Sequence, residues 1–498
     1  MFKPTRKEFK NLAKKYNLIP VYREIICDVD TPVSAFHKLK ESKYAFLLES
    51  AEGGERFGRY SFLGNSPYLI VVCKQGTVEI RDGMGRTTKR IENVSDPLSV
   101  IKELINSYNP VRYEDFPPFY GGAVGYLGYD AIRYFEDVPR EARNDLTLPE
   151  MVFFFTDSIL IFDHLKHRMK VVVNTHIKPN TQVHELESVY DQAVARIDEL
   201  VKRIKTSSSV AEPPVIFSNE GGAVESNIAK EDFLRAVERA KEYIRGGDVL
   251  QVVLSQRFST PVSAPTFDIY RALRTINPAP YMYYLKLNSL ELIGSSPEPL
   301  VKVQGDRAIT CPIAGTRPRG KTKDEDERLE QELLEDEKER AEHIMLVDLG
   351  RNDLGRVCAP ATVKVDDLMY IEKASHVMHI VTHASGKLAP GKDAFDALRA
   401  CFPAGTVTGA PKIRAMEIID KLEPTLRGPY AGIVGYFGYS GDLDSCITIR
   451  TIIINEKKAY VQAGAGIVYD SQPEREYQET VDKAQALLAA VRLAEKGI

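Results

Sequence analysis

Two stretches far apart in the chain carry its most reactive spacing. In "EDEKERAEHIMLVDL" (335–349) Glu339 and Glu342 stand three residues apart, and in "EREYQETVDKA" (474–484) Glu476 and Glu479 repeat that interval with Lys483 one turn beyond. Residues at this spacing share one helix face. Acidic residues on a helix are usually a solvated face, and neither pair alone says more. Glu342 differs because His343 and the run Ile344-Met345-Leu346-Val347 follow it, which puts it where the helix turns into a core. If the two faces converge, the four carboxylates raise one another's pKa values or need a cation. A hard divalent ion with oxygen ligands, Mg²⁺, would relieve the repulsion and leave sites for a substrate carboxylate and water.

Other stretches suit an anion. In "GAGIV" (464–468) Gly464 and Gly466 flank Ala465, and backbone N–H groups there could face an oxyanion; a tight turn between strands explains the same residues. Arg450 is a charge in the apolar run "CITIRTIII", either facing solvent from a strand or clamping a carboxylate with its two-pronged guanidinium. "CPIAGTRPRG" (311–320) stiffens the backbone at Pro312 and Pro318 and leaves Gly315 as a point of close approach. "FPAGTVTGAPKIRAMEIID" (402–420) is a polar loop running into a helix; it lacks the GxxxxGK[ST] order, which excludes a P-loop nucleotide site.

The elements that must position these residues are short strands and long helices. "YAFLLES", "YLIVVC", "MVFFFTDSILIFD" and "RMKVVVNTH" read as strands, and 181–205 as a helix. "TSSSVAEPPVIFSNEGGAVES" (206–226) has the composition of a linker. After it, 230–247 puts Phe233, Val237, Ala240 and Ile244 on one helix face and stops at Gly246-Gly247. A strand over 249–258 follows, then helices over 324–349 and 476–495. Strands and helices do not alternate strictly, so the expected fold is α+β: two antiparallel sheets packed as a sandwich with helices on the outside. "YGGAVGYLGYD" (120–130) recurs as "YAGIVGYFGYS" (430–440), with seven of eleven positions identical, which predicts an internal duplication. The expected regions are 1–205, a linker at 206–226, and 227–498.

The chain has 498 residues, a net charge of −4 and no tryptophan. No global basic field points to nucleic acid, and no apolar run reaches the roughly 18 residues of a membrane span. The six cysteines are scattered without a CxxC pair, which argues against zinc or a disulfide framework and for a reducing compartment. The first residues, MFKPTRKEFKNLAKKY, are basic without the apolar segment of a secretory signal, so the expected location is cytoplasmic.

"PIAGTRPRG", "EHIMLVDLGRNDLGR", "FPAGTVTGAPK" and "GAGIVYDSQPEREYQET" together resemble the chorismate-utilising enzymes, over 227 to the C-terminus. With "LLES" and "GRYSFLG" in the first half, the chain is similar to the large subunits of anthranilate synthases. That resemblance implies Mg²⁺ held by Glu342 and Glu479, with Glu339 and Glu476 behind metal-bound waters. It implies chorismate against Arg450, Tyr430, the Gly464-Ala465-Gly466 amides, the Gly315-Thr316 corner and Lys483. Glu298 matches the general acid that protonates the departing C4 hydroxyl, and His379 the residue tied to loss of the C2 proton and of pyruvate. Arg317 and Arg319 are expected to be structural or to steer charge.

Two positions separate the relatives. Isochorismate and salicylate synthases are expected to carry a lysine where this chain has Gln251, and aminodeoxychorismate synthases a nucleophilic lysine where it has Ala314. Alanine cannot form that covalent bond. The resemblance therefore implies anthranilate and pyruvate made from chorismate and ammonia, in the first committed step of tryptophan biosynthesis. The ammonia would come from glutamine through a separate amidotransferase small subunit, in an assembly with two copies of each chain. Ser50 with Pro280, Tyr281 and Met282 match a feedback pocket for L-tryptophan. The alternatives are an aminodeoxychorismate synthase component I and a non-catalytic tryptophan-binding protein on the same scaffold.

Overall fold

The computed structural model describes every residue except 40–41, 51–57, 180, 207–222, 374–376 and 498. Among the described residues the strands form two antiparallel sheets, of thirteen and twelve strands. At the centre of the larger sheet Tyr44–Glu49 pairs with Tyr281–Leu287, Leu48 lying opposite Tyr283. Outward from this pair the two sides match: Tyr60–Asn65 and Leu290–Ser296, Ser158–Asp163 and Thr451–Asn455, Arg168–His176 and Lys458–Ile467, Leu18–Ile26 and Gln251–Pro261.

The smaller sheet is built the same way. Its centre is the repeated motif itself: Gly122–Leu127 pairs with Ile433–Gly438, with Gly125 opposite Gly435, Ala123 opposite Phe437 and Leu127 opposite Ile433. The central equivalents Gly125 and Gly435 thus face each other and the flanking positions pair reciprocally about them, as a two-fold axis through the pair requires. Met151–Phe155 and Leu443–Ile447 flank the centre, then Leu69–Lys74 and Pro299–Gln304, Thr77–Asp82 and Arg307–Thr310, Thr87–Ile91 and Val377–Lys387. The matching strand order in the two halves is what an internal duplication demands.

The second half carries two additions. Thr77–Asp82 runs directly to Thr87–Ile91, whereas between Arg307–Thr310 and Val377–Lys387 the chain inserts strand Ile313–Pro318, helices Lys323–Glu335 and Glu337–Gly355, and strand Lys364–Lys373. A second addition, the turn Gly405–Val407 and helix Lys412–Leu422, precedes Ile433–Gly438.

Phe46, Phe62 and Leu285 of one sheet meet Tyr126, Phe154 and Val434 of the other. Helices Val183–Lys205, Thr266–Ile276 and Pro473–Glu495 cover the outer face of the larger sheet, and Pro97–Asn106 and Ala394–Cys401 that of the smaller. Central strands are therefore buried on both faces, which is why they read as nearly continuous apolar runs. The sandwich with helices outside agrees with the sequence.

Several expected elements divide. The helix over 324–349 is two helices broken at Asp336. That residue is extended (φ −65°, ψ 107°), its carboxylate accepts from the Lys338 and Glu339 amides, and Arg317 holds its other oxygen at 2.8 Å. An aspartate with such donors caps a helix instead of continuing one. "MVFFFTDSILIFD" is two strands in different sheets, parted at Thr156-Asp157. The linker expected at 206–226 falls largely on 207–222, outside the described residues, and Glu225–Ser226 already pairs with Phe258 and Ser259. Regions 1–205 and 227–498 both contribute strands to both sheets and side chains to one shared core.

Candidate active site

The reactive side chains cluster where the chain crosses from one sheet to the other. Glu298 lies between Leu290–Ser296 of the larger sheet and Pro299–Gln304 of the smaller; Arg450 lies between Leu443–Ile447 and Thr451–Asn455, which again belong to different sheets. At a crossing the backbone leaves its ladder, so a side chain there can be polar without interrupting a sheet. Arg450 is accordingly not a mid-strand residue, as "CITIRTIII" suggested; its φ of 50° marks the bend. Both residues line one cavity of about 220 Å³, together with Gly315, Thr316, His379, Tyr430, Gly464 and Lys483.

Glu298 is 7% exposed, and burial pushes its carboxyl up to about 8, against a hydrogen bond from Thr406. Thr406 Oγ1 donates to Glu298 Oε1 at 2.9 Å, so the acidic proton sits on the other oxygen. Thr406 belongs to the loop read from the sequence as pocket-lining, but its bond to Glu298 had no sequence signal. The loop is anchored by Arg427, 2% exposed, which pairs with Glu423 at 2.6 Å and donates to the carbonyls of Val407 and Val253 at 2.7 and 2.8 Å.

His379 Nδ1 lies 3.0 Å from the Gly315 carbonyl and 3.1 Å from Thr316 Oγ1. A carbonyl only accepts, so the proton is on Nδ1 and the Nε2 lone pair is available. Burial lowers the pKa of this imidazole, which keeps it neutral. Gly315 itself has φ 66°, the left-handed region a glycine occupies without strain.

The Gly464-Ala465-Gly466 stretch is not a turn. It lies inside strand Lys458–Ile467, opposite Ser255, Leu254 and Val253. In a strand the N–H and C=O of one residue point to the same edge. Lys483 Nζ donates to the Gly464 carbonyl at 3.0 Å, so the Gly464 amide faces the open edge beside Arg450 and Lys483; alternation gives the Gly466 amide the same direction two residues on, but Gly466 is not among the residues lining the cavity. The Ala465 amide faces the neighbouring strand instead, and its side chain is buried among Leu254, Ala415 and Ile418. Ala465 thus contributes no amide to the cavity, because strand alternation turns every second residue away.

The two acidic faces do approach each other. Burial raises the pKa of Glu342, and Glu339 and Glu479 raise it further; Gln251 Nε2 donates to Glu342 Oε1 at 3.1 Å. Burial also raises Glu476, with Glu479 adding to it. Glu479 is paired with Lys483 at 2.6 Å and Glu339 with Arg317 at 3.3 Å. Among the described residues no three acidic, histidine or cysteine side chains stand within reach of one ion. Glu342 and Glu479 are carboxylates that repel each other, and oxygen donors of this kind suit a hard cation whose other sites are left to water and ligand.

Ser50, Pro280, Tyr281 and Met282 line a second cavity of about 90 Å³ between the sheets, with Tyr436 and Asp444 on the opposite side. Tyr281 Oη donates to Asp444 Oδ1 at 3.0 Å, and Tyr281 lies opposite Ser296, two residues before Glu298. This cavity sits beside the central strands of both sheets, on the axis that relates the halves.

In the first half the positions related to Glu298 and Arg450 are Tyr68 and Asp157, each immediately before the corresponding strand. Tyr68 Oη bonds Tyr439 at 2.9 Å and Tyr108 at 3.2 Å, and Asp157 bonds His176 at 2.5 Å. These side chains bond one another where the second half keeps an acid and a guanidinium.

Residues 43–489 match the family model described as chorismate binding enzyme. The chain is 52% identical over 498 residues to anthranilate synthase component 1 of Acetivibrio thermocellus, covering 99% of each chain, and 47% identical to that of Aquifex aeolicus, covering 98% of each. The crystal structure of anthranilate synthase component I from Streptococcus pneumoniae superposes with a TM-score of 0.76 at 36% identity, over 93% of this chain and 99% of that one. The menaquinone-specific isochorismate synthase MenF from Escherichia coli shares the fold, with a TM-score of 0.68 at 18% identity over 97% of this chain and 99% of that one. With the family model matched over 43–489 and nearly its whole length shared with relatives at 47–52% identity, the chain belongs to the chorismate binding enzyme family, alongside the anthranilate synthase component 1 chains.

Proposed function

We propose that the chain is the catalytic component of an anthranilate synthase, converting chorismate and ammonia to anthranilate and pyruvate for tryptophan biosynthesis in the cytoplasm. The observation that carries this reading is the buried Glu298, held protonated by its surroundings and bonded to Thr406, in the same cavity as Arg450, His379 and the glycine edge. Arg450, Tyr430, the Gly464 and Gly466 amides, the Gly315-Thr316 corner and Lys483 orient the chorismate carboxylates. Held by Glu342 and Glu479, with Glu339 and Glu476 behind it, Mg²⁺ would supply a hard positive charge for one of those carboxylates. Ammonia adds at C2 while Glu298 gives its proton to the C4 oxygen, which leaves as water. His379 Nε2 then takes the C2 proton as the C3–O bond breaks and the ring becomes aromatic, and the released enolpyruvate takes up one proton at its methylene carbon to become pyruvate.

Ala314 lines the cavity and offers no nucleophile, and Gln251 is occupied with Glu342; both favour ammonia at C2 over the rival reactions. The relatives are named as a first component, which supports a separate amidotransferase subunit as the ammonia source, in an assembly with two copies of each chain. The cavity at Ser50 and Pro280–Met282 is the proposed L-tryptophan site. Its coupling to catalysis runs through the ladder from Tyr281 to Ser296 and so to Glu298, and requires that tryptophan favour one of two arrangements of that strand.

The test uses the purified chain with chorismate, Mg²⁺ and a high concentration of ammonium salt, following anthranilate fluorescence with and without L-tryptophan. Anthranilate that disappears on adding tryptophan is the expected result. An aminodeoxychorismate product by mass would move the chain to the folate branch, and tryptophan binding without turnover would leave a regulatory protein. A narrower expectation concerns the glycine edge. A Cβ at Gly464 would come within 2.8 Å of Tyr430 Oη and 3.0 Å of the Leu254 carbonyl. Gly464→Ala should therefore displace Tyr430 and lower kcat/KM for chorismate by about 10²-fold, the scale of an ångström-sized misplacement. An unchanged kcat/KM would remove this edge from substrate binding.

A further inference from the structure

Beside Glu298 lies a smaller cavity of about 40 Å³, bounded by Thr310, Pro312, Leu349 and Gly350. Glu298, Leu346 and Thr406 line both this cavity and the larger one, and so form the wall between them. It has room for water-sized molecules and none for chorismate.

Two features of its walls point to what it holds. Thr310 is 6% exposed, and among the described residues its hydroxyl finds no hydrogen-bond partner in the chain. Buried hydroxyls are almost always satisfied, and a small polar molecule in the adjoining cavity would satisfy this one. Gly350 lies inside helix Glu337–Gly355, where glycine is less stable than alanine. A Cβ at Gly350 would stand 3.3 Å from both Thr310 Oγ1 and Pro312 Cγ, so the glycine keeps open the space in front of the hydroxyl. Asp353, the other carboxylate on the wall, is already held by Lys412 at 2.7 Å.

We propose that this cavity is the water chamber of Glu298: it receives the C4 oxygen as water and, through water bonded to Thr310, returns a proton to the spent carboxylate. The inference rests on the anthranilate reading above. In the first step the N–C2 bond forms, the C4–O bond breaks, and the Glu298 proton completes the departing water. The nitrogen now at C2 sheds one proton, which replaces through the chamber water the one that Glu298 gave up, so no proton is gained or lost. Thr310 is a positioning residue in this scheme, and Gly350 sets the chamber's width.

The experiment measures kcat, both KM values and the solvent isotope effect for the full chain with chorismate, Mg²⁺ and ammonium. Thr310→Val should lower kcat by about tenfold with both KM values within about twofold, raise the solvent isotope effect, and be rescued by Thr310→Ser. Gly350→Ala, which adds a methyl group to a helix and so is expected to fold, should lower kcat in the same way. Wild-type kcat in both Thr310→Val and Gly350→Ala overturns the chamber. A raised KM for ammonium at unchanged kcat also overturns it, making the cavity a store for the nucleophile. No anthranilate from the wild-type chain would instead sink the anthranilate reading, and the chamber with it.

Discussion

Glu298→Gln should abolish anthranilate formation, lowering kcat by about 10³-fold, while making the chain more stable at neutral pH. Both effects come from one burial. The carboxyl is pushed up to about 8 by desolvation, so at neutral pH it is a neutral acid able to protonate a leaving oxygen. In the unfolded chain the same group loses its proton near the ordinary carboxylate pKa. Between that value and about 8 the folded state binds one more proton than the unfolded state, so this group makes stability fall as pH rises. Glutamine keeps the shape and the acceptor for Thr406 but has no proton to lose, so the variant escapes a penalty on the order of a few kcal/mol. Thermal melts of wild type and variant from acid to mildly alkaline pH should diverge as pH rises. At saturating ammonia the wild-type kcat should fall as pH passes about 8, because the acidic form of Glu298 is then lost. A Glu298→Gln chain that turns over within about tenfold of wild type would take the acid's role from this residue.

The carboxylate pair gives the second large effect. Loss of an outer partner of a metal ligand typically costs about 10- to 100-fold, so Glu342→Gln or Glu479→Gln should lower Mg²⁺-supported turnover by at least about 10²-fold. The metal-free chain should respond in the opposite direction. Glu342 is destabilised as an anion by its burial and by Glu339 and Glu479, so neutral glutamine there should raise the melting temperature without metal. Wild type should gain stability on adding Mg²⁺, and the Glu342→Gln chain should not, which separates binding from activity. A variant that keeps both the thermal shift and the turnover would show that the two carboxylates do not hold the ion.

Much of the site was legible in the sequence because its residue types are expensive where they stand. Paired glutamates before an apolar run, an arginine in an isoleucine-rich stretch and glycines beside a strand all conflict with their local pattern. The repeated motif predicted two related halves, and the structure sets its two copies side by side about a common axis. The failures share a cause. "CITIRTIII" and "MVFFFTDSILIFD" each look like one strand, since apolar periodicity does not register a change of sheet, yet both break at the residues that matter: Arg450, and Asp157 in the half that lacks the acid. The Gly464-Ala465-Gly466 stretch looked like a nest of three amides because spacing alone does not reveal that alternation turns the middle one away.

By itself, then, the sequence determined the α+β class, the family, the acidic pairs and the absence of a lysine at Ala314 and Gln251, all of which depend on residue identity at fixed intervals along the chain. Only the tertiary structure decided that Glu298 is neutral, that Thr406 holds it, that Asp336 breaks the acidic helix, and that beside the acid lies a small cavity on whose wall the Thr310 hydroxyl has no partner among the described residues. Each of those depends on which distant segments exclude water from a group, and desolvation is a property of the packed neighbourhood, to which no local interval in the sequence corresponds.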